Sequence, residues 1–139
     1  MPDENQTSRK AVKIVMDYEI KQDREPIDVQ TNRRFKGCDV LSFSKDKKDI
    51  RIIEVKGTAV KNWGIPDLYE NEVTRSGQLV ATHLYLVKFN SDTKEFEKLF
   101  VIPASEFSAD DFQKFSSYRV KSNFYTRSEK LEKFKVKVV

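Results

Sequence analysis

Two short apolar runs, 40–43 and 50–55, flank the polar cluster Ser44-Lys45-Asp46-Lys47-Lys48-Asp49, a pattern that predicts two antiparallel strands joined by a turn. Setting Ser44 against Asp49 across that turn places Asp39 directly opposite Glu54. Residues opposite one another share a face of the sheet, and successive residues alternate faces. Asp39, Leu41, Phe43, Ile50, Ile52, Glu54 and Lys56 therefore fall on one side, with Ile53 and Val55 on the other. That shared face is apolar near the turn and becomes Asp, Glu and Lys at its far end.

Upstream, Ala11, Val12, Ile14, Val15, Met16 and Tyr18 recur at helical spacing over 8–22, with Thr7 or Ser8 as N-cap. Val12, Val15 and Glu19 lie on one stripe, which carries Glu19 onto the buried side near the end of the helix. The polar residues 1–7 are expected to be disordered. Alternation over 26–31 predicts a first strand, and Asn32-Arg33-Arg34-Phe35-Lys36-Gly37 connects it to the next. Downstream, 68–79 reads as a crossover helix with Leu68, Glu72, Arg75 and Leu79 along one side, presenting Glu72, Arg75 and Gln78 near the hairpin. Strands are predicted at 82–89 and 97–102 around the turn residues Asn90-Ser91-Asp92-Thr93-Lys94. One or two short helices follow over 103–115. The segment 118–139 reads as two strands in which Phe134, Val136 and Val138 alternate with Lys133, Lys135 and Lys137.

The chain of 139 residues suits one domain with one core, here 8–139, without repeats or linkers. No apolar run approaches the roughly 18 residues of a membrane span, and the first residues do not resemble a signal peptide, so an intracellular, cytoplasmic protein without a membrane partner is expected. A single cysteine, Cys38, excludes an internal disulfide or a cysteine-based zinc site, and a single histidine, His83, excludes histidine-rich metal sites. His83 shares a strand face with Tyr85 and Val87 and reads as a packed or surface residue. Any bound metal must therefore rely on carboxylates. From Arg119 onward seven bases face two acids, a larger excess than the net +4 of the whole chain. Such a segment suits a polyanionic partner, or is an ordinary solvated lysine face.

Asp39 and Glu54 raise a chemical problem. Their backbones lie within about 5 Å, and a carboxylate on a core-facing position costs several kcal/mol unless paired or metal-bound. Two arrangements resolve it. Either a divalent cation takes hard oxygen ligands from both, as Mg²⁺ does with water and phosphate completing its shell, or Lys56, roughly 7 Å along the face from Glu54, neutralises them in a salt-bridged hairpin.

Asp, a hairpin, then Glu-X-Lys resembles the signature of the PD-(D/E)XK nuclease superfamily, here Gly37-Cys38-Asp39 followed by Glu54-Val55-Lys56-Gly57. Cys38 stands where the superfamily's name has proline. The Gly-X-Asp form is similar to archaeal Holliday-junction resolvases and Mrr-type restriction enzymes, and most similar to the domain at the C-terminus of the plant protein No Vein. That likeness runs through Tyr18-Glu19, Gly37-Cys38-Asp39-Val40, Ile53-Glu54-Val55-Lys56-Gly57, Asn71-Glu72 and Leu84-Tyr85-Leu86-Val87.

The resemblance implies an α/β fold of restriction-endonuclease-like type, a central mixed sheet flanked by helices. It implies Mg²⁺, with Mn²⁺ able to substitute, held by Asp39, Glu54 and the carbonyl of Val55. Glu19, as the first-helix glutamate that often joins such sites, would complete the shell. Lys56 would orient or help deprotonate the attacking water. The expected function is metal-dependent endonuclease hydrolysis of DNA phosphodiesters. Arg33, Arg34 and Lys36 lie at the lip of the site as backbone contacts or solvated bases, and Lys61, flanking Trp63, is a further nucleic-acid contact. Trp63 either stacks on a base of an opened or single-stranded substrate or caps the core. Lys133, Lys135 and Lys137 are the remaining nucleic-acid contacts. A homodimer would supply the second cut that a duplex needs. The alternatives are a non-catalytic nucleic-acid-binding or targeting module that keeps the nuclease fold, and a protein-interaction domain of a larger assembly.

Overall fold

The computed structural model describes the chain apart from Met1, Arg33, Lys36, Ser128 and Val139, with only the backbone given for residues 2–5, 126, 127, 129 and 130. Helix α1 spans Pro2–Lys21, so it starts at Pro2 rather than Ser8 and takes in residues expected to lie outside any element. Its stripe of Ala11, Val12, Val15 and Tyr18 is buried. The helix stops where Asp23 adopts a φ of 62°, the left-handed conformation that commonly ends helices.

Strand β1 (Arg24–Asp28) pairs antiparallel with β2 (Val40–Ser44), and β2 pairs antiparallel with β3 (Ile50–Thr58). Val40 faces Ile53 and Phe43 faces Ile50, which is the register predicted from the turn. Ser44 Oγ accepts from the Asp49 N–H at 3.0 Å, and Asp46 Oδ1 accepts from the Lys48 N–H at 3.0 Å, closing that turn. Next, β3 runs parallel to β4 (His83–Phe89), which pairs antiparallel with β5 (Phe96–Pro103). At the far edge β8 (Lys135–Val136) pairs with β5. The fold is thus α/β, with a central mixed six-stranded sheet in the order β1-β2-β3-β4-β5-β8, consistent with a restriction-endonuclease-like core.

Alternation along β3 and β4 divides two cores. On one face α1 covers Val40, Ile53, Val55, Tyr85, Val87 and Leu99. On the other, Leu84, Leu86, Phe100 and Ile102 are covered by the crossover residues Ile65, Leu68, Val73 and Leu79 and by Phe107, Phe112, Phe124 and Leu131. Burying apolar side chains at about 25 cal/mol per Å² on both faces of β4 is the main stabilising term.

Two expected elements differ. The stretch 68–79 is not a helix: it holds one 3-10 turn at Glu70–Glu72 and a bridge between Val73 and Leu79. Thr74 accepts from the Gly77 N–H at 2.9 Å and its Oγ1 from the Gln78 N–H at 3.0 Å, and Gly77 has a φ of 82°. Turn chemistry in Thr74-Arg75-Ser76-Gly77 thus overrides weak helical spacing. Among the described residues of 118–139, the strands are β7 (Tyr118–Val120), paired with β6 (Phe112–Lys114), and β8. Between them α2 (Ser122–Arg127) and a 3-10 segment (Glu129–Phe134) tuck Phe124 and Leu131 into the second core. No helix among the described residues is long and apolar enough to cross a membrane.

Candidate active site

Asp39 sits one residue before β2, where the β2–β3 ladder ends. Its N–H donates to the Ile53 carbonyl at 2.8 Å, and its Oδ2 accepts from the Val55 N–H at 2.8 Å. The carboxylate therefore takes over a ladder donor that β2 no longer reaches. Just before it, Gly37 has a φ of 82°, and a Cβ there would lie 2.4 Å from the Asn71 carbonyl oxygen. Only glycine lets this loop lie so close to the crossover, which brings Asp39 and Glu72 to one place.

Glu54 and Lys56 project from β3 onto the same face as Leu84 and Leu86. Glu54 is 3% exposed. Lys56 Nζ lies 2.9 Å from Glu72 Oε1 and 3.8 Å from Glu54 Oε1, and 4.6 Å from the centre of the Tyr69 ring. Glu72 Oε1 also accepts from the Tyr69 N–H at 2.7 Å, which closes the 3-10 turn. Two carboxyl groups thus share one ammonium, whose charge Asp39 also feels.

Fully ionised, that cluster would carry excess negative charge in a poorly solvated place. Burial, the hydrogen bond with Glu72 and the charge of Asp39 push Glu54 up to about 11. Burial also raises Asp39, against the opposing hydrogen bond from the Val55 N–H. For Glu72 burial pushes upward too, but the hydrogen bond from Glu54 and the charge of Lys56 prevail and lower it. The proton therefore resides on Glu54. Its Oε2 is buried and meets no hydrogen-bond donor among the described residues, a loss that ordinarily costs about 1–3 kcal/mol.

This has a testable consequence for the metal-free protein. Glu54 keeps its proton when folded but releases it above 4.5 when unfolded, so its stabilising contribution is complete below that value and is lost as pH rises toward 11. Asp39 acts in the same direction. The lowered Glu72 is already ionised in both states by neutral pH, and burial lowers His83 below 6.5, so neither dominates above about pH 7. In EDTA the melting temperature is expected to fall between about pH 7 and 9, and Glu54→Gln should flatten that slope; equal slopes in the two proteins would place the proton elsewhere.

Glu19 does not join this cluster. It is fully buried on the α1 face, where its carboxylate accepts from Tyr85 Oη at 2.7 Å, Arg51 Nη1 at 3.2 Å and pairs with Arg24 Nε at 3.4 Å. The sheet lies between it and Asp39, Glu54 and Lys56, so the expected third ligand is corrected to a structural ion pair. Glu19→Gln should lower stability by about 2 kcal/mol through weakened charge-assisted bonds while sparing any chemistry at Glu54; denaturant melts beside activity assays separate the two.

The other expected contacts are scattered. Arg34 is exposed in the loop before Asp39, and Arg33 and Lys36 lie outside the described residues. Lys61 is exposed, while Trp63 is half-buried with its ring 5.2 Å from Phe100, so it caps the second core. Lys133 pairs with Glu106 at 3.6 Å and Lys135 with Glu132 at 3.3 Å. With Lys137 they lie around β8, three strands from β3, and none lines the groove below. Glu72 was legible only as a residue near the hairpin, because its placement depends on the 3-10 turn.

A groove of about 890 Å³ opens over the cluster, lined by Asp39, Glu54, Lys56 and Glu72 together with Gly57, Trp63, Pro66 and Tyr69. From the sheet it takes Asp39 and residues 54–58 of β3. Among the described residues no three Asp, Glu, His or Cys side chains form a ready-made metal cage. Mg²⁺ does not need one, since one or two carboxylates with water and phosphate suffice. Asp39 beside Glu54, with an undonated buried oxygen, fits that donor set.

Residues 7–102 match the family described as Protein NO VEIN, C-terminal, a span from α1 into β5 that includes Asp39, Glu54, Lys56 and Glu72. Comparisons with curated proteins and with solved structures gave no match. The matched span is more than half of the chain and holds the whole carboxylate cluster, and the chain belongs to the Protein NO VEIN C-terminal family.

Proposed function

We propose that the protein is a metal-dependent nuclease of PD-(D/E)XK type that hydrolyses phosphodiester bonds in DNA. The observation that carries this reading is the convergence of Asp39, held against β3 by the Val55 N–H, with Glu54 and Lys56 on one face, Glu54 Oε2 being buried and without a partner among the described residues.

Asp39 and Glu54, with the Val55 carbonyl, would hold Mg²⁺ or Mn²⁺. When bound, the ion would polarise a phosphoryl oxygen and acidify a water. Lys56 orients the attacking water and offsets the charge that develops on the phosphoryl oxygens. Glu72 anchors Lys56 Nζ at 2.9 Å and fixes where that ammonium points. Tyr69 flanks the same ammonium through its ring. Arg34 and Lys61, both exposed, would meet the phosphate backbone.

The test is a nuclease assay on duplex, single-stranded and branched DNA and on RNA, with Mg²⁺, Mn²⁺ or EDTA. Cleavage with either ion and none in EDTA is expected. Binding of nucleic acid without cleavage under any condition would instead make the chain a targeting module.

A further inference from the structure

The groove over the cluster has the wrong charge for a duplex. Among the described residues its lining carries Asp39, Asp67 and Glu72, beside the protonated Glu54, against Lys56 and Lys94, and Lys56 is already held by Glu72. Duplex DNA presents one negative charge per about 1.7 Å and is gathered by rows of Lys and Arg. Among the described residues no such row lines this groove.

What the groove offers instead is an aromatic wall. Tyr69 is 62% exposed, an unusual setting for a large ring beside buried carboxylates. It is nevertheless fixed at both ends: its N–H donates to Glu72 Oε1, and its ring stands 4.6 Å from Lys56 Nζ. Tyr118 and Leu68 exchange backbone hydrogen bonds at 2.7 and 2.8 Å, anchoring the chain one residue before it. A rigid, exposed ring of this kind is a stacking platform, and stacking is tolerant of sequence because every base has a π-face. The volume, about 890 Å³, falls in the range of pockets that enclose a small molecule, room for one or two nucleotides rather than a length of duplex.

We propose that the groove takes single-stranded nucleic acid, with one unpaired base stacked on Tyr69 so that the adjoining phosphate lies beside Lys56, Asp39 and Glu54. This deepens the nuclease reading and rests on it. The platform supplies the attraction that the acidic lining withholds, and the stacked base sets which phosphate enters the site. Duplex ends and fully paired segments are poor substrates, whereas single strands, flaps and gaps are good ones.

The experiment uses the full chain in EDTA, where cleavage cannot occur, and measures binding of a labelled single strand of about eight nucleotides carrying 2-aminopurine, beside the same sequence as duplex. Wild-type protein is expected to bind the single strand at least about tenfold more tightly than the duplex and to quench the 2-aminopurine. Tyr69→Ala should weaken single-strand binding about tenfold or more, and Tyr69→Phe should retain it within about twofold, because the ring and not the hydroxyl does the stacking. Equal affinity for duplex, or single-strand affinity indifferent to Tyr69→Ala, overturns the proposal. Parallel cleavage with Mg²⁺ separates it from the nuclease reading. Cleavage of duplex but not of single strand keeps the nuclease and overturns the platform, while Tyr69-dependent single-strand binding without cleavage supports the platform and removes the enzyme.

Discussion

Asp39→Asn is expected to abolish Mg²⁺-dependent cleavage while leaving nucleic-acid binding intact or tighter. Asparagine keeps a carbonyl that can accept from the Val55 N–H, now at 2.8 Å from Oδ2, so the loop before β2 should hold. What is lost is a charged oxygen ligand. Metal assistance is worth several kcal/mol to a phosphoryl transfer, so the rate should fall by roughly 10³-fold or more. Binding behaves oppositely because a negative group facing phosphate has been removed. Circular dichroism and a melt on the same preparation separate this from unfolding.

Lys56→Ala should lower turnover by about 10² to 10⁴-fold, the usual loss for acid–base help or a charge stabiliser, with Mg²⁺ binding retained. The substitution also strips Glu72 of its 2.9 Å partner and Tyr69 of its cation. Some loss of stability therefore accompanies the catalytic effect. Glu72→Gln divides the two contributions: it leaves Lys56 in place but loosens its hold, so turnover should fall less than in Lys56→Ala. Single-turnover rates and metal titrations of both variants, with equal rates in Lys56→Ala and wild type as the contrary outcome, decide whether Lys56 acts in the reaction.

The hairpin was legible because alternation and turn chemistry act over a few residues. Ser44 against Asp49 set the register, and β2 and β3 pair accordingly. The same alternation put Asp39, Glu54 and Lys56 on one face, and the structure places them together. Glu19 shows where that logic stops. Helical spacing correctly buried it, yet strand alternation defines two faces without saying which one α1 covers. The helix settles on the face of Ile53, Val55 and Tyr85, so Glu19 meets Arg51 and not Asp39. Glu72 failed the other way, since a helix was expected where Thr74-Arg75-Ser76-Gly77 forms a turn. Nothing local signals that Leu68, Val73 and Leu79 cover the second core as an irregular crossover. In 118–139 the alternation over 133–138 was real, but Phe124 and Leu131 are buried by helical turns that long-range contacts with Phe107 and Phe100 select.

The most direct measurement is a Mg²⁺ titration near pH 8 on wild-type protein and Glu54→Gln, following the melting temperature and, in the same samples, cleavage of a labelled single strand. The metal-site assignment predicts that wild-type protein is stabilised as Mg²⁺ binds the folded state and begins to cleave over the same concentrations. Glu54→Gln should do neither, yet should melt above wild type without metal, because the amide is neutral without having to hold a proton that the unfolded chain releases at this pH. Wild-type protein that neither gains stability with Mg²⁺ or Mn²⁺ nor cuts any strand, or Glu54→Gln that still cleaves, would contradict it.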